Sequence, residues 1–190
     1  MRRSLLLLVA FCGLGQSARA DRDHMIGVRV GGSIGVSDEL DELSDTSLSI
    51  TAFASGPIAS VLGWRVEGGQ DRFSSSDFVT DICADLEIDC DDPRITRFNG
   101  GVQITGHGGI ITAYGYLTVG AYSLDPGGPA GGDSSVEAGL SYGGAINLNL
   151  GPSLFLGFDF DVNTVFPDEF ADTDNSQTYV VPSFQIGARF

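Results

Sequence analysis

The sequence contains no lysine, so its ten basic residues are all arginines, against twenty-five aspartates and glutamates. The formal net charge is −15. Such an acidic chain lacks the basic surface that phosphate backbones require, which argues against a nucleic-acid partner. It is also repelled by anionic surfaces unless divalent cations bridge the two.

Histidine is scarce. His24 precedes the first predicted strand, and His107 lies between glycines in a predicted turn. A Ser-His-acid site needs a histidine that is oriented by an acid and lies within reach of a serine. A carboxylate-only enzyme would depend on Asp159 and Asp161, which are two residues apart and better placed as arginine partners. We therefore predict a protein that is not an enzyme and that carries no cofactor and no metal centre.

Cysteine is scarce as well, with three in the whole chain. Cys83 and Cys90 lie within one acidic segment, and Cys12 lies in the amino-terminal apolar run. An exported protein meets an oxidising compartment, so a local Cys83–Cys90 disulfide is expected. The alternative, a metal site, lacks a nearby histidine or a second cysteine pair.

No apolar run is long enough for a membrane helix. The first 20 residues instead have the pattern of a secretory signal: Arg2-Arg3, an apolar core from Leu5 to Gly13, and a cleavage site at Ala18-Arg19-Ala20. Lipidation at Cys12 is the alternative, but the preceding Phe11 is bulky for such processing. Residues 21–190 then form one domain, and the loss of three arginines changes its formal charge to −18.

The last stretch of the sequence, Tyr179–Phe190, alternates between apolar residues and small or polar ones. Counting back from the end, every second residue is apolar: Phe190, Ala188, Ile186, Phe184, Pro182 and Val180. Side chains on a strand point alternately to opposite faces, so the stretch predicts a strand with one apolar and one polar face. Its aromatic end indicates the closing strand of a membrane β-barrel.

Similar alternation recurs along the whole mature chain. It predicts eight strands: 25–36, 47–55, 58–68, 95–105, 110–124, 134–150, 153–162 and 179–190. Their connections are alternately long and tight, as in outer-membrane barrels with short periplasmic turns and longer extracellular loops. We therefore predict an all-β fold, a closed antiparallel up-and-down transmembrane barrel whose last strand pairs with its first.

The chain resembles the small outer-membrane β-barrels, the group that includes the OmpA amino-terminal barrel and the neisserial opacity proteins. The resemblance covers the mature chain and rests on the signal sequence, the loop alternation, the stretch at 139–148 and the terminal Phe190. It implies a location in the outer membrane of a Gram-negative bacterium. It also implies contact with outer-membrane lipid and lipopolysaccharide, and recognition of Phe190 by the barrel-assembly machinery. It does not fix an activity.

The predicted lumen carries a cluster of charged residues. An eight-stranded barrel has an interior that side chains can fill, and charges held there must pair. We expect a structural plug of ion pairs and tyrosine hydroxyls; the alternative is a narrow gated pore. The predicted members are Arg29, Arg65, Glu67, Arg97, Glu137, Asp159, Asp161 and Arg189. Because the last strand neighbours the first, we expect Arg189 to lie near Arg29, with Asp159 between them.

The long loops are acidic, and the second also carries apolar residues beside Cys83 and Cys90. Such loops are either solvated or bind divalent cations weakly. The second loop either binds an external ligand or forms a cap that packs over the mouth of the barrel. The predicted function is that of a non-enzymatic outer-membrane barrel with a structural or surface-binding role. A secreted lipocalin-like carrier is the alternative fold, with apolar residues inside and polar residues outside.

Overall fold

The computed structural model describes residues 24–36, 44–75, 92–125, 134–166 and 176–190. In these ranges the chain forms eight strands: β1 (Met25–Gly31, continued at Ile34–Gly35), β2 (Ser44–Pro57), β3 (Leu62–Ser75), β4 (Arg94–Gly108), β5 (Ile111–Asp125), β6 (Ser135–Asn149), β7 (Leu154–Phe166) and β8 (Gln177–Arg189). The same ranges contain no helix that is long and apolar enough to cross a membrane.

The strands form a closed antiparallel barrel. Each strand pairs with its neighbour in the sequence, and β8 pairs with β1. The short Ile34–Gly35 segment keeps the register of β1, since Gly31 pairs with Ser183 and Ile34 with Val180. Closure leaves no open edge, so every strand has a hydrogen-bonded neighbour on both sides.

The two ends of the barrel differ. At one, called here the turn end, short turns join β2 to β3, β4 to β5 and β6 to β7, and both ends of the barrel chain lie there. Gly109 and Gly151 adopt positive φ angles of 64° and 91° in two of these turns, a conformation that favours glycine. The other end, called the loop end, carries the longer connections.

The outward face of the strands is apolar. Exposed outward residues include Ile26, Val28 and Val30 of β1, Phe98 and Val102 of β4, Leu117 and Val119 of β5, Leu156, Phe158 and Phe160 of β7, and Phe184 and Ile186 of β8. The inward face is mostly polar and buried. A soluble ligand-carrying barrel has the reverse arrangement, so the structure favours the membrane type of barrel over the lipocalin-like alternative.

Some strand limits differ from the predicted ones. The third strand begins at Leu62 and not at Ile58, because the backbone N–H groups of Ile58 and Ala59 both donate to the Leu62 carbonyl in a turn. The same strand continues to Ser75, and β7 continues to Phe166. Both extensions keep alternate side chains inside the barrel, so burial within the lumen continues beyond the predicted ends.

Candidate functional site

The lumen is the candidate site, and Arg29 lies at its centre. Its Nη1 donates to Asp159 Oδ1 at 2.6 Å and to the Tyr116 hydroxyl at 2.7 Å, and its Nη2 donates to Glu67 Oε2 at 2.8 Å. Asp161 Oδ2 lies 3.5 Å from the same Nη1. One guanidinium from β1 therefore connects β3, β5 and β7 across the barrel.

Arg65 is completely buried beside this centre. Its Nε donates to Glu67 Oε2 at 3.0 Å, so Glu67 serves two arginines. The Arg65 guanidinium also lies over three aromatic rings, 4.2 Å from the centroid of Tyr116, 4.4 Å from that of Phe53 and 5.3 Å from that of Tyr114. Aromatic faces attract cations, and this attraction is strongest where water is excluded.

Arg97 lies on the side of the network that faces the loop end. Its Nη2 donates to Thr51 Oγ1 at 2.8 Å and lies 3.5 Å from Asp161 Oδ2. Its Nη1 lies 3.5 Å from Asp71 Oδ2. The Tyr179 hydroxyl donates to the same Asp71 oxygen at 3.0 Å. The carboxylate of Asp161 is therefore shared by Arg97 and Arg29.

Two apolar layers enclose this ionic network. The turn-end layer consists of Met25, Phe53, Tyr114, Tyr116, Ala145 and Phe155. The loop-end layer consists of Phe73, Ile95, Tyr122, Tyr179, Val165 and Val181. Each layer comes from the matching ends of several strands, so the lumen is filled above and below the charges. Charges enclosed in this way interact strongly and are costly to leave unpaired.

The structure brings together six of the eight residues of the predicted cluster, the exceptions being Glu137 and Arg189. Glu137 is buried near the loop end of β6, where it pairs in register with Tyr122.

The predicted position of Arg189, close to Arg29, is wrong. In the register of β1 and β8, Arg29 pairs with Gln185, and Arg189 pairs with Met25 at the turn end. Asp159 pairs with Ser183, which is about 20 Å along β8 from Arg189 at 3.3 Å per residue. Arg189 therefore does not neighbour Arg29, and Asp159 does not lie between them. Arg189 instead lines a cavity of about 20 Å³ at the turn end.

Several lumen residues are not among the predicted members. The predicted third strand ends at Gly68 and leaves Asp71 in a loop, although the inward alternation of Arg65 and Glu67 continues through Asp71 to Phe73. Tyr116 and Tyr179 enter the prediction only as part of a tyrosine-bearing face. The period of two beyond Gly68 is the signal that could have identified Asp71.

Neither histidine contributes to the ionic network. The His24 ring stacks on Phe190, with centroids 5.8 Å apart, and His107 lies opposite Thr112 in the ladder. Both positions are at the turn end. Within the described ranges, no group of three or more histidine, cysteine, aspartate or glutamate side chains is arranged to hold a metal ion. The predicted Cys83–Cys90 disulfide, the signal sequence and most of the acidic loops lie outside the described residues.

The chain matches no protein-family model and no curated protein. Several solved barrels have a similar fold, and three of them serve as examples. Neisserial surface protein A is 12% identical, with a TM-score of 0.61 over 88% of this chain and 97% of that chain. A major outer membrane protein of Thermus thermophilus is 14% identical, with a TM-score of 0.60 over 90% and 100%. The attachment invasion locus protein Ail of Yersinia pestis, bound to the heparin analogue sucrose octasulfate, is 14% identical, with a TM-score of 0.55 over 89% and 97%. The fold is therefore that of the small eight-stranded outer-membrane barrels.

Proposed function

We propose that this chain is an integral outer-membrane protein without enzymatic activity, which serves as a closed scaffold for its external loops. The observation that carries the proposal is the ionic network of the lumen, enclosed by apolar layers on both sides. A lumen filled in this way supports a plug and not a pore. The apolar outward face supports insertion into a bilayer, because lipid accepts apolar side chains and not charged ones.

The unequal ends of the barrel support an orientation. Outer-membrane barrels place their short turns in the periplasm and their longer loops outside. We therefore place the turn end, with His24 and Phe190, in the periplasm and the loop end at the cell surface. The expected signal at residues 1–20 and a Cys83–Cys90 disulfide in an external loop agree with this location.

A surface-binding role would belong to the loops, since loops on a rigid scaffold are the usual place for recognition. Ail was solved with a polyanion, sucrose octasulfate. The present chain has a formal charge of −15, and the expected mature chain −18, so its acidic loops repel a polyanion unless divalent cations intervene. A neutral or cationic external ligand therefore suits it better.

Membrane fractionation tests the proposed location. We expect the full chain to be found in the outer-membrane fraction, to need detergent for extraction, and to change its gel mobility on heating, as a closed barrel does when it unfolds. A freely soluble periplasmic protein, with the same mobility before and after heating, would contradict the proposal.

A further inference from the structure

The distribution of arginines identifies a second charged feature, on the outside of the barrel. Of the six arginines that the structure describes, Arg29, Arg65 and Arg97 are buried in the lumen, and Arg189 lies at the turn end. The remaining two, Arg72 on β3 and Arg94 on β4, alternate with the buried residues Asp71, Phe73 and Ile95, so they lie on the outward face.

These two arginines lie directly opposite each other. Arg72 and Arg94 are register partners in the β3–β4 ladder, where opposite Cα atoms are about 4.5–5.5 Å apart. Like charges placed directly opposite in a sheet repel and destabilise it. The positive charge of Arg94 is partly balanced, because its Nε forms an ion pair with Asp125 Oδ2 at 2.9 Å. Arg72 Nε donates to Gln70 Oε1, a neutral partner, at 3.0 Å.

The pair lies where the outward face changes from polar to apolar. Two residues towards the turn end, Gln70 Nε2 donates to Thr96 Oγ1 at 3.3 Å. Two residues further, Gly68 is opposite Phe98, which is 70% exposed. At 3.3 Å per residue, the arginines are about 13 Å along the strands from this apolar position. On the neighbouring β2, the exposed Leu48 is opposite Arg72, so the two arginines lie at the loop-end edge of the apolar outward face. That edge is where the headgroups of a bilayer would meet the barrel.

We propose that Arg72 and Arg94 together bind the phosphate of a lipid headgroup in the outer leaflet. Two forked guanidiniums side by side match the several acceptor oxygens of a phosphate, and arginine is the residue that binds phosphate in this bidentate way. The contacts with Gln70 and Asp125 use one Nε each, whereas a guanidinium carries five N–H donors. Among the described residues, these two are the arginines on the outward face of the strands, where an anionic headgroup would meet positive charge.

The inference rests on the proposed outer-membrane location, and the test separates the two. The full chain is reconstituted in digalactosyl diglyceride vesicles, whose headgroup carries no phosphate, and these contain either bisphosphorylated lipid A or the same glycolipid without its phosphates. Bound lipid is then counted by native mass spectrometry after extraction. We expect the wild type to retain the phosphorylated lipid at least about tenfold more tightly than the dephosphorylated one, and R72Q/R94Q to lose this preference. Added inorganic phosphate should not displace the lipid, because it lacks the apolar contacts that the lipid's acyl chains make.

Two further variants make the result specific. R189Q makes the same change at the turn end and should keep the preference, whereas D125N removes the competing carboxylate and should strengthen it. An R72Q/R94Q barrel that retains the preference, or a wild type that shows none, would overturn the phosphate site. The heat-dependent gel mobility of each reconstituted sample reports insertion separately: failure of the wild type to insert would count against the outer-membrane location itself.

Discussion

Glu67 is a carboxylate that two buried arginines of the lumen network share. It is buried, and its Oε2 atom accepts from Arg29 at 2.8 Å and from Arg65 at 3.0 Å. Removing the negative charge of Glu67 leaves the buried guanidiniums of Arg29 and Arg65 with less negative charge beside them. The cost of breaking a buried pair comes mainly from the charge that stays behind without a partner.

The Glu67→Gln substitution tests this dependence. We expect it to lower the free energy of unfolding by about 3–5 kcal/mol, because a buried ion pair loses one partner. Asp125→Asn is the matched control, since it breaks an ion pair whose side chains are 43% and 36% exposed. Exposed pairs contribute about 0–1 kcal/mol. Urea unfolding in detergent micelles, followed by the fluorescence of Trp64, measures both. Equal losses for the two variants would contradict the account of the lumen.

At the scale of the strand, the seam between β1 and β8 closes the barrel. Gly27 and Gly187 are opposite each other in this ladder, and the rings of Phe53 and Phe155 pack over them inside the lumen. A Cβ added at Gly187 would overlap with Phe155 Cζ and with the Ile26 carbonyl oxygen. Glycine is required here because the neighbouring backbone and an aromatic ring occupy the place of a side chain.

Gly187→Ala should therefore destabilise the closed barrel by about 1–3 kcal/mol, the usual cost of overpacking. Gly115→Ala is the control, because a Cβ there meets its nearest atom, the Gly143 carbonyl oxygen, at an ordinary 3.7 Å. The fraction of refolded protein that runs as the compact form on an unheated gel compares the two variants. Similar yields for both would show that the seam tolerates a side chain at Gly187.

The assembly role that the resemblance implies for Phe190 gives a prediction for the residue that follows β8. Phe190→Ala removes the ring that stacks on His24, and we expect less protein in the outer membrane and more in the periplasm. Phe184→Ala changes the same residue type on the same strand, at an outward position that packs against Phe158. Quantitative immunoblots of the two fractions measure the effect. An outer-membrane level for the Phe190 variant equal to that of the Phe184 variant would remove the assembly role.

The sequence could predict the strands because alternation reports which face a residue occupies. It could not predict register, since the pairing of Arg189 with Met25 depends on how far β8 is displaced against β1. Nor could it identify partners across the lumen: Arg29 and Asp159 are 130 residues apart. Asp71 was missed because Gly68-Gly69 resembles a strand end, although the pattern continues beyond it.

At the scale of the whole molecule, the charged and apolar side chains of the barrel lie in separate layers. The lumen holds an ionic network between the two apolar layers, and the outside carries an apolar belt with a polar rim at the loop end. An eight-stranded barrel has an interior just wide enough for side chains to fill, and here the ionic network and its two enclosing layers occupy it. The protein would therefore act through its surface, with the barrel as a closed support.

Single-channel conductance of the purified full chain in planar bilayers tests this central claim most directly. Insertion is verified first by protease protection of the barrel in vesicles of the same lipid. The account predicts no discrete openings above those of the protein-free membrane, because the two apolar layers close the lumen on both sides of the charges. Reproducible discrete openings from inserted wild-type protein would contradict it and favour the narrow gated pore.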